Sequence, residues 1–192
     1  MNVPSIHDTA YICNDAYIKT ENFSVGCYTR LNGKFFVHGR GICDIGKYCA
    51  IGYNVTIITS NHKTNYANLQ ITLQRNLGSD YDFLEDTSRR VLIHNNVWIG
   101  DSVVILPGVE IHNGAIIGAN SVVTNSVPPY SVYSGCPARE IKRRFPSNVA
   151  SALDAIGWWN WSHQKILRNK AFFEVDLLSE NSIELMNQVI LP

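Results

Sequence analysis

Three groups of residues in this 192-residue chain could do chemistry: its histidines, its cysteines and one short basic cluster. The histidines are His7, His38, His62, His94, His112 and His163. An imidazole serves as a general base near neutral pH when it is held rigidly, with one nitrogen free for a substrate proton and the other oriented by an acceptor. The cysteines are Cys13, Cys27, Cys43, Cys49 and Cys136. Their odd number and the lack of a C-x-x-C pair argue against a disulfide framework and a structural zinc site. Reduced thiols in a cytoplasmic protein are the reading that follows. Arg139, Lys142, Arg143 and Arg144 form a run of cations that suits a trianionic ligand, although composition alone favours a solvated basic face.

The elements that must position these groups announce themselves by a period of six. Aliphatic residues recur at Ile6, Ile12 and Ile18, then Val25, Leu31 and Val37, then Ile45, Ile51 and Ile57. The longest run is Ile93, Ile99, Ile105, Ile111, Ile117 and Val123, and the frame slips after Ile18 and after Val37. An amphipathic helix would repeat at three and four and a strand at two, so neither fits. A short strand plus a tight corner does fit. Three such units close a triangular coil of about 18 residues, and coils stack with like positions in register. The aliphatic residue points inward. The glycine that often follows it (Gly46, Gly52, Gly100, Gly118) is expected to turn the corner at no Cβ cost.

Register then sorts the histidines. His7, His38, His94 and His112 each follow an inward aliphatic residue, so they read as outward-pointing corner residues. A zinc site of the catalytic kind needs three convergent histidines. No two histidines here are close in sequence, so no metal is expected. His62 ends the unit I-I-T-S-N-H, where the regular scaffold meets a long irregular stretch. Position alone leaves it open between a general base and a structural histidine at a loop root.

The repeat resumes at about Val91. The polar insertion of about residues 63–90 carries Tyr66, Tyr81 and Phe83 and is expected to project from one edge of the prism. The domain reading is a β-helix over 1–145 with that loop inserted, and a helical tail over 146–192. Ser147 reads as an N-cap, and Asn181 with Glu184 as a capping box. Trp158, Trp159 and Trp161 are expected to cover the open end of the stack. Sixteen basic and sixteen acidic residues balance, which argues against a nucleic-acid partner. No apolar run approaches the roughly 18 residues of a membrane span, and Met1–Ala10 lacks the pattern of a secretory signal.

The segment I-H-N-N-V-W-I-G-D-S-V-V-I-L-P-G-V-E-I-H-N-G-A-I-I-G-A-N-S-V-V-T, followed by V-P-P-Y and G-C-P-A-R-E-I-K-R-R-F, resembles the hexapeptide-repeat acyltransferases. I-K-R-R-F with W-W-N-W after it, and S-N-H at residues 60–62, resemble the xenobiotic acetyltransferase branch with its streptogramin and type B chloramphenicol enzymes. The resemblance implies an all-β fold, a left-handed parallel β-helix, and a homotrimer with active sites between subunits. It implies acetyl-CoA as co-substrate and His62 as the general base. Trp98 and Ala119 would line the pantetheine channel, Thr124 would lie near the adenosine end, and Arg139 and Lys142 would face the phosphates. Asn125 departs from the lysine often found there in relatives.

The acceptor half departs further. The family's S-T-F-P-F-like stretch and G-D-T-x-I-G lead-in are replaced here by N-Y-A-N-L-Q-I-T-L-Q and T-S-R-R-V-L-I-H. Asn, Gln, Asp and Tyr, with Arg75, Arg89 and Arg90, suit a sugar or sugar nucleotide. The expectation is acetyl transfer to a hydroxyl, or an amine, of a sugar in surface-glycan synthesis, with antibiotic O-acetylation as the alternative.

Overall fold

In the computed structural model, which describes residues 5–78 and 90–192, the hexads fold into strands of two to five residues that stack into three parallel sheets. The first face contains Ser5–Ile6, Asn22–Val25, Ile42–Ile45, Arg90–Ile93 and Glu110–Ile111. The second contains Tyr11–Ile12, Arg30–Leu31, Ala50–Ile51, Trp98–Ile99, Ile116–Ile117 and Ser131–Gly135, closed by the antiparallel strand Ala138–Arg143. The third contains Ala16–Lys19, Phe35–His38, Val55–Ile58, Val104–Ile105 and Val122–Val123. Successive strands visit the three faces in turn, and the whole is a left-handed parallel β-helix of about six turns with helices at its C-terminus.

Each inward aliphatic residue lies on its counterpart in the next coil: Leu31 on Ile51, Ile51 on Ile99, and Ile99 on Ile117. These side chains are 0% exposed. The small or β-branched residue four positions after each aliphatic one in the longest run (Val97, Val103, Val109, Ala115, Ser121) is buried as well, so each of these hexads contributes two inward groups. Burial of each large aliphatic side chain is worth about 1.5–3 kcal/mol before conformational entropy is charged against it. Among the described residues the first coil is the loosely covered one, with Ile6 at 41% exposure.

The glycines act differently from the expectation. The left-handed residue of a corner stands three positions after the aliphatic one, and it is Tyr28, Tyr48, Asn54, Asn96, Ser102, Asn120 or Tyr130, with Gly108 and Gly114 in the same role. Glycine directly after the aliphatic residue is required by space. A Cβ on Gly46 would sit 2.6 Å from the His94 carbonyl oxygen, and one on Gly100 would sit 2.7 Å from the Ala119 nitrogen. Between these two positions lies a polar residue that caps the neighbouring coil. Asn95 Oδ1 accepts the Lys47 amide at 3.0 Å, Asn113 Oδ1 the Asn95 amide at 3.0 Å, and Asp101 Oδ1 the Tyr53 amide at 2.8 Å. The motifs I-H-N-N, I-G-D-S and I-H-N-G are thus corner chemistry.

The insertion leaves the stack undisturbed. Asp44 pairs with Leu92, Ala50 with Trp98 and Thr56 with Val104, as if the intervening residues were not there. Within the insertion, a short helix, Ile71–Asn76, begins at Gln70, whose side chain accepts the Leu73 amide at 2.9 Å. Tyr81, Phe83 and Arg89 lie outside the described residues.

The tail contradicts three sequence expectations. Its first helix, Ser147–Ile156, is preceded by Pro146 with no side-chain cap and ends at the left-handed Gly157, and Asn181 gives no side-chain cap to Ser182–Val189. Nor do its tryptophans simply close the open end. The tail runs lengthwise along the corner between the first and second faces. Tyr130 Oη donates to Asp154 at 2.9 Å near the last coil, Lys47 Nζ donates to Asn160 at 2.9 Å, and Trp158 packs on Tyr48 at 4.9 Å. His163 stacks on Tyr28 at 5.5 Å near the first coils. Tyr130, Val149, Leu153, Phe172 and Met186 form an apolar cluster separate from the prism core, and the tryptophans flank it. Among the described residues no helix is long and apolar enough to cross a membrane.

Candidate active site

His62 stands where the third face ends and the insertion begins, and it is exposed. The backbone leading to it is fixed by a polar ladder at the corner between the third and first faces. Thr59, fully buried, receives the Gly41 amide on Oγ1 at 3.2 Å and donates its own amide to the His38 carbonyl at 2.8 Å. Its hydroxyl also lies 3.1 Å from Thr20 Oγ1, which donates to the Gly41 carbonyl at 2.5 Å. Ser60 Oγ receives the Arg40 amide at 3.1 Å. Gly39 has φ 128°, and a Cβ there would lie 2.4 Å from Thr59 Oγ1. Thr20 and Gly39 fall outside the hexad reading because they occupy the positions where the frame slips, and Thr59 lies in the last unit before the insertion, I-I-T-S-N-H. The slip was the signal that could have found Thr20 and Gly39, and nothing in the repeat marked Thr59.

Thr124 follows Val123 at the same corner as His62, farther along the stack, and is half-buried, with Asn125 exposed beside it. The other predicted residues lie elsewhere. Trp98 projects from the second face with 56% exposure, and Ala119 follows Gly118 at the next corner, its backbone close against Gly100. Arg139 and Lys142 lie exposed on the strand that closes the second face. In a triangular prism the second face is opposite the corner that carries His62. One protomer therefore keeps the imidazole and Trp98 on opposite sides of its core, and a site holding both needs two copies.

The basic cluster is smaller than its sequence suggested. Arg143 Nε donates to Glu140 Oε1 at 2.7 Å. Arg144 is half-buried, donates to the Gly114 carbonyl at 2.6 Å and lies over the Phe145 ring at 4.7 Å, and burial pulls its guanidinium below the usual range. Arg139 and Lys142 remain as the outward cations, and neither has an ion pair among the described residues. Arg90, expected in the acceptor loop, starts a strand instead and pairs with Asp44 at 3.5 Å.

Burial removes two of the cysteines, Cys43 and Cys49, as candidate nucleophiles. All five are free thiols; burial pushes Cys49 up to about 11 and Cys43 well above the ordinary thiol range. The histidines do bring a surprise. His94 and His112, which sequence distance seemed to separate, stack at 5.1 Å.

Comparison with known proteins agrees with the fold. Residues 90–125 match the model of the bacterial transferase hexapeptide (six repeats) family. A probable macrolide acetyltransferase of Lysinibacillus sphaericus is 40% identical over 75% of this chain and 82% of its own length. A chloramphenicol acetyltransferase of Klebsiella aerogenes is 32% identical over 78% and 80%. Among solved structures, a galactoside acetyltransferase in complex with coenzyme A superposes with a TM-score of 0.58 at 28% identity, covering 73% of this chain and 64% of that one. Identity of 40% and 32% to these relatives, over three-quarters or more of this chain and of theirs, with the repeat match on the same short-stranded prism, places the chain in the hexapeptide-repeat acetyltransferase family.

Proposed function

We propose that this protein transfers the acetyl group of acetyl-CoA to a hydroxyl of a small sugar-containing acceptor in the cytoplasm, with His62 as the general base. The observation that carries this reading is the placement of His62, exposed at the loop root on a corner braced by buried Thr59. The second face supplies what the donor needs: an exposed indole at Trp98 for the apolar arm and two outward cations, Arg139 and Lys142, for phosphates. The galactoside acetyltransferase that resembles this chain was solved with coenzyme A bound.

Because His62 and Trp98 occupy opposite sides of one prism, a site holding both needs a second copy, and the resemblance to the hexapeptide-repeat family implies that the working unit is a homotrimer. Each subunit contributes its histidine corner to the second face of its neighbour. Leu69, Leu73 and Leu77, spaced by four around the short loop helix and all exposed, give the loop an apolar stripe for a neighbouring subunit to cover.

Acetyl-CoA supplies an activated acyl group on sulfur. His62 accepts the hydroxyl proton as the acceptor oxygen bonds to the thioester carbonyl carbon, and returns that proton to the thiolate as the C–S bond breaks. No acyl-enzyme is required, because both substrates are held together. General-base catalysis contributes about 10²–10⁴-fold.

The polar loop, with Asn65, Tyr66, Asn68 and Gln70, favours a sugar or sugar nucleotide of the kind used in surface-glycan synthesis. An antibiotic acceptor is the second reading, favoured by the 40% identity to a probable macrolide acetyltransferase. Thiol release from acetyl-CoA, measured with amino sugars, neutral sugars, sugar nucleotides, a macrolide and chloramphenicol, separates the two. Turnover of an antibiotic at ordinary enzyme rates, with none of any sugar, overturns the sugar reading. His62→Ala should lower turnover about 10²–10⁴-fold with coenzyme A binding retained, and unchanged turnover removes the mechanism.

A further inference from the structure

The corner between the first and second faces carries a group that acetyl transfer does not use. His94 and His112 each follow an inward isoleucine, and the coil brings residues 18 apart into register. Their rings stack at 5.1 Å between centroids and 13° between planes. Glu110, on the strand that leads to His112, places Oε1 2.6 Å from His94 Nε2 and 3.9 Å from His112 Nδ1. One ligand atom from each of the three lies within 4.8 Å of the other two. All three side chains are half-buried, so water reaches them without sweeping them apart. The next position up the column is Gly46, which adds no side chain, and a shallow groove lined by Asp44, Gly46, Leu92, His94 and Asn95 opens beside it.

We propose that His94, Glu110 and His112 bind one divalent transition-metal ion of the zinc class. Two imidazoles and a carboxylate form a mixed nitrogen–oxygen set, which suits Zn²⁺, Co²⁺ or Ni²⁺, whereas Mg²⁺ and Ca²⁺ favour all-oxygen cages. Rotation of each imidazole about its side-chain bonds turns its lone pair from the stack toward a shared point, where bonds of about 2.0–2.2 Å form. The proton that His94 and Glu110 share at 2.6 Å is displaced as the ion enters. Three protein ligands leave a coordination position for water. Because His94 belongs to one coil and Glu110 and His112 to the next, the ion joins adjacent coils. The site lies on a different corner from His62, and its presence does not depend on the identity of the acetyl acceptor.

Calorimetric titration of the metal-stripped full-length protein tests the proposal, with Zn²⁺ and Mg²⁺ added separately. One Zn²⁺ per chain is expected to bind, with no comparable heat from Mg²⁺. Glu110→Gln and His112→Gln should each weaken Zn²⁺ binding at least ~10-fold, since even outer-shell changes cost that much. His62→Gln should leave it unchanged. The unmutated protein supplies a second readout: histidine ring signals in NMR should shift for His94 and His112 together with the first equivalent of Zn²⁺. No Zn²⁺ binding overturns the proposal, as does equal binding by Glu110→Gln and His112→Gln or a first equivalent that leaves both rings unperturbed.

Discussion

Thr59 Oγ1 receives the Gly41 backbone N–H at 3.2 Å, and this bond joins the coil that carries His62 to the coil before it. The hydroxyl is fully buried, so its loss leaves the Gly41 N–H without water to replace the partner. Thr59→Val should cost about 1–3 kcal/mol of stability, read from urea unfolding. As a positioning change it should lower kcat with little effect on KM for acetyl-CoA, and Thr59→Ser should recover most of the loss. Equal changes in both constants would point to general loosening.

Arg139 and Lys142 should matter for the donor and not for the acceptor. Each is exposed, so screening limits its worth, and Arg139→Ala or Lys142→Ala should raise KM for acetyl-CoA roughly 3- to 10-fold with kcat nearly constant. Arg143→Ala is the internal comparison, because that guanidinium is already bound to Glu140. Steady-state kinetics at two ionic strengths would show the first two effects shrinking in salt.

The prism core should respond by position. Ile99→Ala, in mid-stack and fully buried, should destabilise by about 2–5 kcal/mol, whereas Ile6→Ala in the loosely covered first coil should cost far less. Denaturant melts of the two variants make the comparison.

Alkaline pH should loosen the tail. Burial pushes Tyr48 up to about 12, and burial together with the neighbouring Asp154 pushes Tyr130 well above the ordinary phenol range. Both raised values mean that the unfolded chain gives up these protons first, at about pH 10. The stability they carry is whole below that pH and drains away as pH rises toward 12 and beyond. Thermal melts between about pH 9 and 12 should fall less steeply for Tyr48→Phe and Tyr130→Phe than for the unmutated protein.

Much of this architecture could be read from spacing alone. Ile93 through Val123 repeat every six residues, and no other element explains that period, so the prism and its inward column were legible before any coordinates. His62 stood out for the same reason, as the residue at which the period stops. What stayed hidden depends on stacking between coils. His94 and His112 look remote on a line and become neighbours once a coil closes. The order Asn95, Asn96 makes sense only when Lys47 lies above it. Arg144 was counted among the phosphate cations because nothing in I-K-R-R-F says that it turns inward to the Gly114 carbonyl. The tail's route was invisible too, since Tyr28 and Tyr48 read as odd corner residues until Trp158 and His163 lie against them.

That tail has a mechanical meaning. A linear stack whose coils touch only their immediate neighbours can peel from either tip, one layer at a time. A splint fastened at Tyr130 and Asp154 in the last coil and at Tyr28 and His163 in the second makes distant coils answer to the same strip of protein. From the second coil onward melting should therefore be a single concerted event, and cutting the splint near Gly157 should restore fraying there.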